Sequence, residues 1–248
     1  MKLTVLASGS TGNCYVLEGR TSALILECGV APERVFQEKH VQPSKVSGCL
    51  ISHEHGDHAA FADKFARYGM HVYASLGTIR AAGLWGTPRV LSLHALRPAV
   101  VGEFVVTPFD VCHDAAEPLG FLITHPELGK LLFATDTMRM DCGFRGLNHL
   151  MIEANWSEDI LDRRVGAGQE DVARAARIKG THLSIERACE YARKVDGPAL
   201  ENVVLMHLSY RNSDEARFRC MMATSTRLAE VYVAKTGLTV ELSKSRVL

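Results

Sequence analysis

The chain has 248 residues, 47% hydrophobic and 23% charged, with 28 Lys and Arg balanced by 28 Asp and Glu. That composition belongs to an ordinary globular protein with enough residues for one substantial core. The formal net charge of zero excludes an overall basic field, so a nucleic-acid partner would have to be held by a local patch.

Residues 2–7 read as a strand. Ser8-Gly9-Ser10-Thr11-Gly12-Asn13 follows. Such a loop can approach a phosphate through backbone N–H groups, or can simply turn a hairpin. Residues 14–18 and 22–27 read as a pair of strands, and Ala31-Pro32-Glu33 starts a short helix with Pro near its first position. Residues 48–52 form an apolar strand that delivers His53-Glu54-His55-Gly56-Asp57-His58. Ala59 to Tyr68 has helical periodicity, residues 71–74 make a short strand, and Ser75 caps a helix reaching Gly83. This alternation predicts layered α/β organisation. Strands then succeed one another at about 89–93, 104–109, 119–124 and 130–134, with a hairpin turn at Pro126-Glu127-Leu128-Gly129.

Leu131 to Asp136 and Leu150 to Asn155 are apolar strands ending in polar residues. Residues 157–195 read as mostly helical and comparatively basic, which a solvated helical face explains in most chains. Ser184 caps the helix Ile185 to Val195. Asn202 to Met206 is a strand ending at His207-Leu208-Ser209. Ser213-Asp214-Glu215 begins a long helix to about Val233, and residues 238–242 make a last strand. No repeat, low-complexity tract or linker interrupts the chain, so residues 1–248 are expected to form a single domain. The 7 cysteines are scattered and form no CxxC pair, as expected of reduced core thiols. The first residues are too strand-like for a signal peptide, and no apolar run approaches the roughly 20 residues of a membrane span. A cytoplasmic protein without a membrane partner is expected; oligomeric state is not legible.

Polar stations therefore stand at the ends of apolar strands: His53 to His58, His113, Asp136 and His207. Strand ends on one edge of a sheet share a rim. His53, His55 and His113 would hold one metal; Asp57, His58 and His207 would hold the other; Asp136 would bridge them. Imidazole and carboxylate donors suit Zn²⁺, Mn²⁺ or Fe²⁺ alike. Two such cations beside one water lower its pKa from about 15.7 toward 7, giving a hydroxide nucleophile at neutral pH. A structural zinc site would be a closed set of fewer ligands.

The segment His53-Glu54-His55-Gly56-Asp57-His58, followed by His113, Asp136 and His207, resembles the metallo-β-lactamase superfamily over nearly the whole chain. The resemblance implies an α/β fold, the four-layer αββα sandwich of metallo-β-lactamase type, with two divalent metal ions at one edge. Ser8 to Asn13, Ile152-Glu153-Ala154-Asn155, Gly180-Thr181-His182-Leu183-Ser184 and His207-Leu208-Ser209 resemble the YycJ/WalJ-like proteins, a group associated with nuclease or phosphodiesterase activity. Asp57 and His182 are then the candidate catalytic residues. His182 can donate a proton to the leaving oxygen, bind phosphate, or cap its own loop. Ser8, Ser10, Asn13, Ser209 and Asn212 are candidate substrate-binding residues, with turn and helix capping as the alternative for the last two. The superfamily usually carries Asp where this chain has Glu27, and Thr181 interrupts the expected segment before His182.

The expected function is a dinuclear-metal-dependent phosphodiesterase or nuclease, exonuclease-like, using a metal-bridging hydroxide. A hydrolase of a small cyclic phosphodiester, thioester or lactam is the second reading. A metal-binding scaffold without turnover is the third. His40, His71, His94, His125 and His149 have no partners at ligand spacing, and Trp85 and Trp156 are expected to pack rather than stack a base.

Overall fold

The computed structural model describes residues 1–38 and 41–242, so His40 lies outside the described residues. Contacts divide the chain into two compact units. The first comprises Met1–Asp110, Ala115–Lys130 and the chain from Ala234; the second comprises Val111–Asp114 and Leu131–Val233.

In the first unit, β1 (Lys2–Ala7), β2 (Cys14–Glu18) and β3 (Ala23–Leu26) form an antiparallel meander. From β3 onward, β4 (Val46–Leu50), β5 (Val72–Ser75) and β6 (Val90–Leu93) are added in parallel. Parallel neighbours need a crossover. Here α1 (Gly56–Ala59) and α2 (Ala62–Arg67) join β4 to β5, and α3 (Leu76–Ala81) joins β5 to β6. Three antiparallel strands follow: β7 (Ala99–Val101), β8 (Phe104–Asp110) and β9 (Leu119–His125). The core of this unit is continuous from Leu6 and Val16 through Ile25, Cys49 and Ile51 to Phe65 and Ile79.

In the second unit, β10 (Gly129–Ala134), β11 (His149–Glu153), β12 (Asn202–Met206) and β13 (Glu230–Val233) are parallel throughout. Every residue of β11 and β12 is buried. Strands covered on both faces read as unbroken apolar runs, which is why Leu150-Met151-Ile152 and Val203-Val204-Leu205 stood out in the sequence. The helices α4 (Glu158–Gly166), α5 (Val172–Thr181) and α6 (Ile185–Val195) cross from β11 to β12, and α7 (Glu215–Ala223) crosses from β12 to β13. Asp171, Ser184 and Asp214 cap α5, α6 and α7 by accepting from the N–H three residues on. The last strand, β14 (Thr239–Glu241), returns to the first unit and pairs antiparallel with β1.

Parallel strands end in the same direction. In the first unit, Glu27 follows β3 and His53 follows β4; in the second, Asp136, Glu153 and His207 stand at the ends of β10, β11 and β12. Ligand-binding residues of α/β sheets concentrate at such carboxyl ends.

Three expectations are corrected. The helix expected from Ser213 to Val233 stops at Ala223, because Thr224-Ser225-Thr226 breaks it and Glu230–Val233 pairs instead with β12. The helix after His58 is two short pieces, interrupted at Phe61, whose N–H bonds to Cys28 O. Strand β7 was not expected; its burial pattern leaves one face open, so its hydrophobic signal is weak.

All cysteines are free, with Cys14, Cys28, Cys49 and Cys189 buried and Cys220 exposed. Burial, then the neighbouring Cys49 and Glu27, pushes the Cys14 thiol far above its ordinary range. A buried, protonated thiol is a poor nucleophile. Alkylation of the native protein, mapped by mass spectrometry, is therefore expected to modify Cys220 first, with Cys14, Cys28 and Cys49 modified only after unfolding.

Candidate functional site

The first unit presents one cluster of donors. His53 and His58 are buried and His55 is half-buried. The His53 Nε2 to His55 Nδ1 distance is 3.1 Å, and the His53 and His58 ring centroids are 4.2 Å apart. Gly56 opens α1, which carries Asp57 and His58 in its first turn.

Buried Asn13 pins that turn. Its backbone N–H bonds to Asp57 O at 2.7 Å, and its Nδ2 faces Asp57 O and Asp57 Oδ2, each at 3.3 Å. Asn13 Oδ1 accepts from Gly9 N–H at 2.9 Å, which fixes the orientation of the amide. The donor Nδ2 then lies 3.1 Å from His58 Nε2, which also faces Asp57 Oδ2 at 3.3 Å. The other ring nitrogen, His58 Nδ1, lies 3.5 Å from Glu27 Oε1. Glu27 is wholly buried, and its other oxygen accepts from Ser52 N–H at 3.3 Å. A buried carboxylate beside an imidazole sets its tautomer and raises its basicity. The longer Glu27 side chain thus reaches the ligand segment, although the superfamily pattern has Asp there. Gly29 is required for this approach: a Cβ at that position would meet Asp57 O at 1.8 Å.

The second unit presents the other cluster. Ligand atoms of Asp136, Glu153, His182 and His207 all lie within 4.8 Å of one another. Asp136 Oδ1 is 3.4 Å from His207 Nδ1, and Asp136 Oδ2 is 3.6 Å from His113 Nε2. His113 Nδ1 donates to Thr181 O at 2.8 Å. A carbonyl only accepts, so the proton of a neutral His113 sits on Nδ1 and its Nε2 offers a lone pair. Burial holds His113 below the usual imidazole range, against the opposing pull of Asp136.

Glu153 is the hub of this cluster. It is wholly buried, and its Oε2 accepts from Thr137 N–H at 2.9 Å and Leu183 N–H at 3.0 Å. Its Oε1 accepts from His182 Nδ1 at 2.6 Å and lies 3.4 Å from His207 Nδ1. Burial alone would raise the Glu153 carboxyl, but the charge of His182 and the hydrogen bonds from His182 and His207 hold it below its ordinary range. Burial alone would lower His182, but Glu153, then Asp136, raises it above the ordinary imidazole range. Asn155 Nδ2 donates to His207 O at 2.9 Å and lies 3.2 Å from His207 Nδ1.

Glu27, Asp136 and His207 all have positive φ, at 66°, 40° and 53°. A side-chain-bearing residue held there costs about 1–3 kcal/mol, and such strain concentrates at functional positions.

The candidate substrate-binding residues are placed differently from one another. Ser10 is exposed. Ser8 Oγ pairs with Tyr15 OH at 2.8 Å, and Asn13 is committed to the Asp57 turn. Ser209 Oγ accepts from Asn212 N–H at 3.3 Å, and buried Asn212 accepts from Ser157 N–H through its carbonyl. Sequence reasoning missed the Thr181 carbonyl and gave Glu153 no defined partner. The available signal was a carboxylate at the buried end of an apolar strand. His71 and His94 are exposed, whereas His125 and His149 are buried.

A model of the β-lactamase superfamily domain matches residues 26–208. The chain is 31% identical over 225 residues to exodeoxyribonuclease YycJ of Bacillus anthracis, covering 86% of this chain and 84% of the relative. The chain belongs to the metallo-β-lactamase superfamily. It is also 27% identical to exodeoxyribonuclease WalJ of Streptococcus pneumoniae over 226 residues, 86% of this chain and 83% of that protein. Among solved structures, the metallo-β-lactamase fold protein YhfI of Bacillus subtilis aligns with a TM-score of 0.74 at 19% identity, covering 97% of this chain and 99% of YhfI. Igni18, a metallo hydrolase of Ignicoccus hospitalis, aligns with a TM-score of 0.68 at 17% identity, covering 97% and 98% of the two chains. These likenesses show the expected fold, the four-layer αββα sandwich of metallo-β-lactamase type. The superfamily fold implies divalent metal ions, and the histidine and carboxylate donors of this member fit them, with a lone pair on Nε2 of a neutral His113. No helix among the described residues is long and apolar enough to cross a membrane.

Glu27→Ala would leave Ser52 N–H buried without its acceptor. An unsatisfied buried donor costs about 1–3 kcal/mol. Urea unfolding of Glu27→Ala is expected to show a loss of that size, and Glu27→Gln a smaller one.

Proposed function

We propose that this chain is a dinuclear-metal-dependent phosphodiesterase that degrades nucleic acid from an end. The observation that carries this reading is the 31% identity to a relative named exodeoxyribonuclease, spread over 86% of the chain. The chemistry of the donors supports it. On this reading the two units act as one domain. His53, His55 and His113 hold one cation, Asp57, His58 and His207 hold the second, and Asp136 serves both. Zn²⁺, Mn²⁺ and Fe²⁺ all accept this donor set. When bound, the pair of cations supplies Lewis acidity toward a phosphoryl oxygen and lowers the pKa of a water at neutral pH.

The protein's own groups do the rest. Asn13 holds Asp57 and His58 in one orientation, and Glu27 faces His58 Nδ1. Thr181 O keeps the proton of a neutral His113 on Nδ1. His182, hydrogen-bonded to Glu153 and 20% exposed at its side chain, keeps a proton to give to the leaving oxygen. Ser8, Ser10, Ser209 and Asn212 supply polar atoms for substrate phosphates. The protein works without a membrane, in the cytoplasm.

The test is hydrolysis of DNA and RNA oligonucleotides by metal-stripped protein restored with Zn²⁺ or Mn²⁺. Cleavage is expected only with metal and is expected to be lost in Asp57→Ala and His58→Ala, with a product ladder that recedes from one end. Turnover of a small cyclic phosphodiester or thioester in place of oligonucleotides would overturn the nuclease reading, and metal binding without any turnover would leave only a scaffold. A separate expectation concerns His182→Ala. It should lower kcat by about 10²–10⁴ with metal content, measured by atomic emission, unchanged.

A further inference from the structure

The neutral total charge conceals a strong local imbalance. Residues 64–102 contain Lys64, Arg67, Arg80, Arg89 and Arg97 but no Asp or Glu. The helical segment that looked basic in the sequence is different: there Arg163 pairs with Asp159, Arg174 with Glu170, Arg177 with Asp114 and Lys179 with Asp162. In residues 64–102 only Arg67 has such a partner, Asp63, among the described residues. Arg80, Arg89 and Arg97 are all exposed.

Trp85 lies in the middle of this stretch. It was expected to pack, but it is 66% exposed, whereas Trp156 is 3% exposed. The Arg80 guanidinium lies over the indole, 5.2 Å from the ring centroid. Trp85 lines a cleft of about 570 Å³ together with Ile79, Val90, Thr87, Ser92 and His94. That volume falls in the range of small-ligand sites, and the lining is apolar with a few polar groups. An exposed indole loses the favourable burial that its size offers, so its place on the surface calls for a ligand with a flat apolar face. The excess of cations over acids in the stretch that carries it calls for anionic groups. A second copy of the chain would satisfy the first need but not the second, since an isologous contact sets the same arginines against one another.

We propose that Trp85 and its cleft, in a stretch whose exposed Arg80, Arg89 and Arg97 have no ion-pair partner among the described residues, bind single-stranded nucleic acid, with a base stacked on the indole face that Arg80 leaves open and phosphates paired by arginines of the stretch. Stacking on an aromatic ring with a basic border is how sequence-tolerant single-strand binding is built. The inference rests on the nuclease reading only for its occupant: the strand held here is the substrate strand.

The experiment uses a phosphorothioate oligothymidylate, which resists hydrolysis, and the metal-loaded protein. Trp85 is the exposed one of two tryptophans, so its emission reports contact directly. Saturable quenching is expected. By anisotropy, Trp85→Ala is expected to weaken binding roughly tenfold or more. Arg80→Gln/Arg89→Gln/Arg97→Gln should lower the slope of log K against log salt by about two. Both changes are at exposed positions, and circular dichroism checks that the fold is kept. No quenching, or equal affinity in wild type and both variants, would overturn the proposal, as would a dimer in sedimentation that Trp85→Ala dissolves. Oligonucleotide hydrolysis by wild type, measured alongside, separates the two readings. Hydrolysis without quenching removes this binding face and keeps the nuclease; quenching without hydrolysis does the reverse.

Discussion

The Glu153 carboxylate is the constraint on which the second unit's chemistry depends. Its two oxygens receive the Thr137 and Leu183 backbone N–H groups and His182 Nδ1, and His207 Nδ1 lies 3.4 Å away. Those contacts tie together the loop after β10, the loop before α6 and the residue after β12. A wholly buried carboxylate is costly unless every lone pair is used. Here the donors come from segments far apart in the chain, so satisfying Glu153 and placing His182 beside Asp136 and His207 are the same event. Each donor makes the ionised form of Glu153 cheaper, and the ionised form in turn raises His182 above the ordinary imidazole range.

The first unit solves the same problem with different residues. Glu27 takes the place of the buried acid, receiving Ser52 N–H and facing His58 Nδ1. Asn13 supplies the neutral donor on the other side of that ring. The close packing of Gly29 against Asp57 O locks the two segments together. In the second unit a carbonyl outside the expected ligand set, Thr181 O, decides which nitrogen of a neutral His113 keeps its lone pair, and in the first Glu27 and Asn13 face the two nitrogens of His58. Preorganisation of this kind removes the cost of choosing a tautomer at the moment of binding. The strained φ angles of Glu27, Asp136 and His207 are what this arrangement costs the backbone.

Charge is distributed by the same economy. Half of the arginines of α4 to α6, Arg163, Arg174 and Arg177, are held by carboxylates on the same or neighbouring elements, while Arg80, Arg89 and Arg97 are exposed with no ion-pair partner among the described residues. Composition averages these two situations to zero. A guanidinium not already held by a carboxylate is the better placed to meet an anion.

The amino-acid sequence by itself determined most of the strands, the alternation of strand and helix, and the residue types at the strand ends. Apolar runs such as Val203-Val204-Leu205 and caps such as Ser75, Ser184 and Asp214 act through neighbours only a few residues away, so their outcome is local. The family was legible for the same reason, since His53 to His58 is one contiguous segment. Only the tertiary structure decided the rest. The stretch Glu230–Val233 is a strand because β12 offers it a partner, although the sequence before it reads as helix. Trp85 is exposed because none of the described elements covers it, which no local pattern records. The Glu153–Thr137, Thr181–His113 and Asn13–His58 contacts join residues between 16 and 68 positions apart along the chain. A hydrogen bond between such remote groups is set by where the topology brings the backbone, and hydrophobic periodicity carries no information about it.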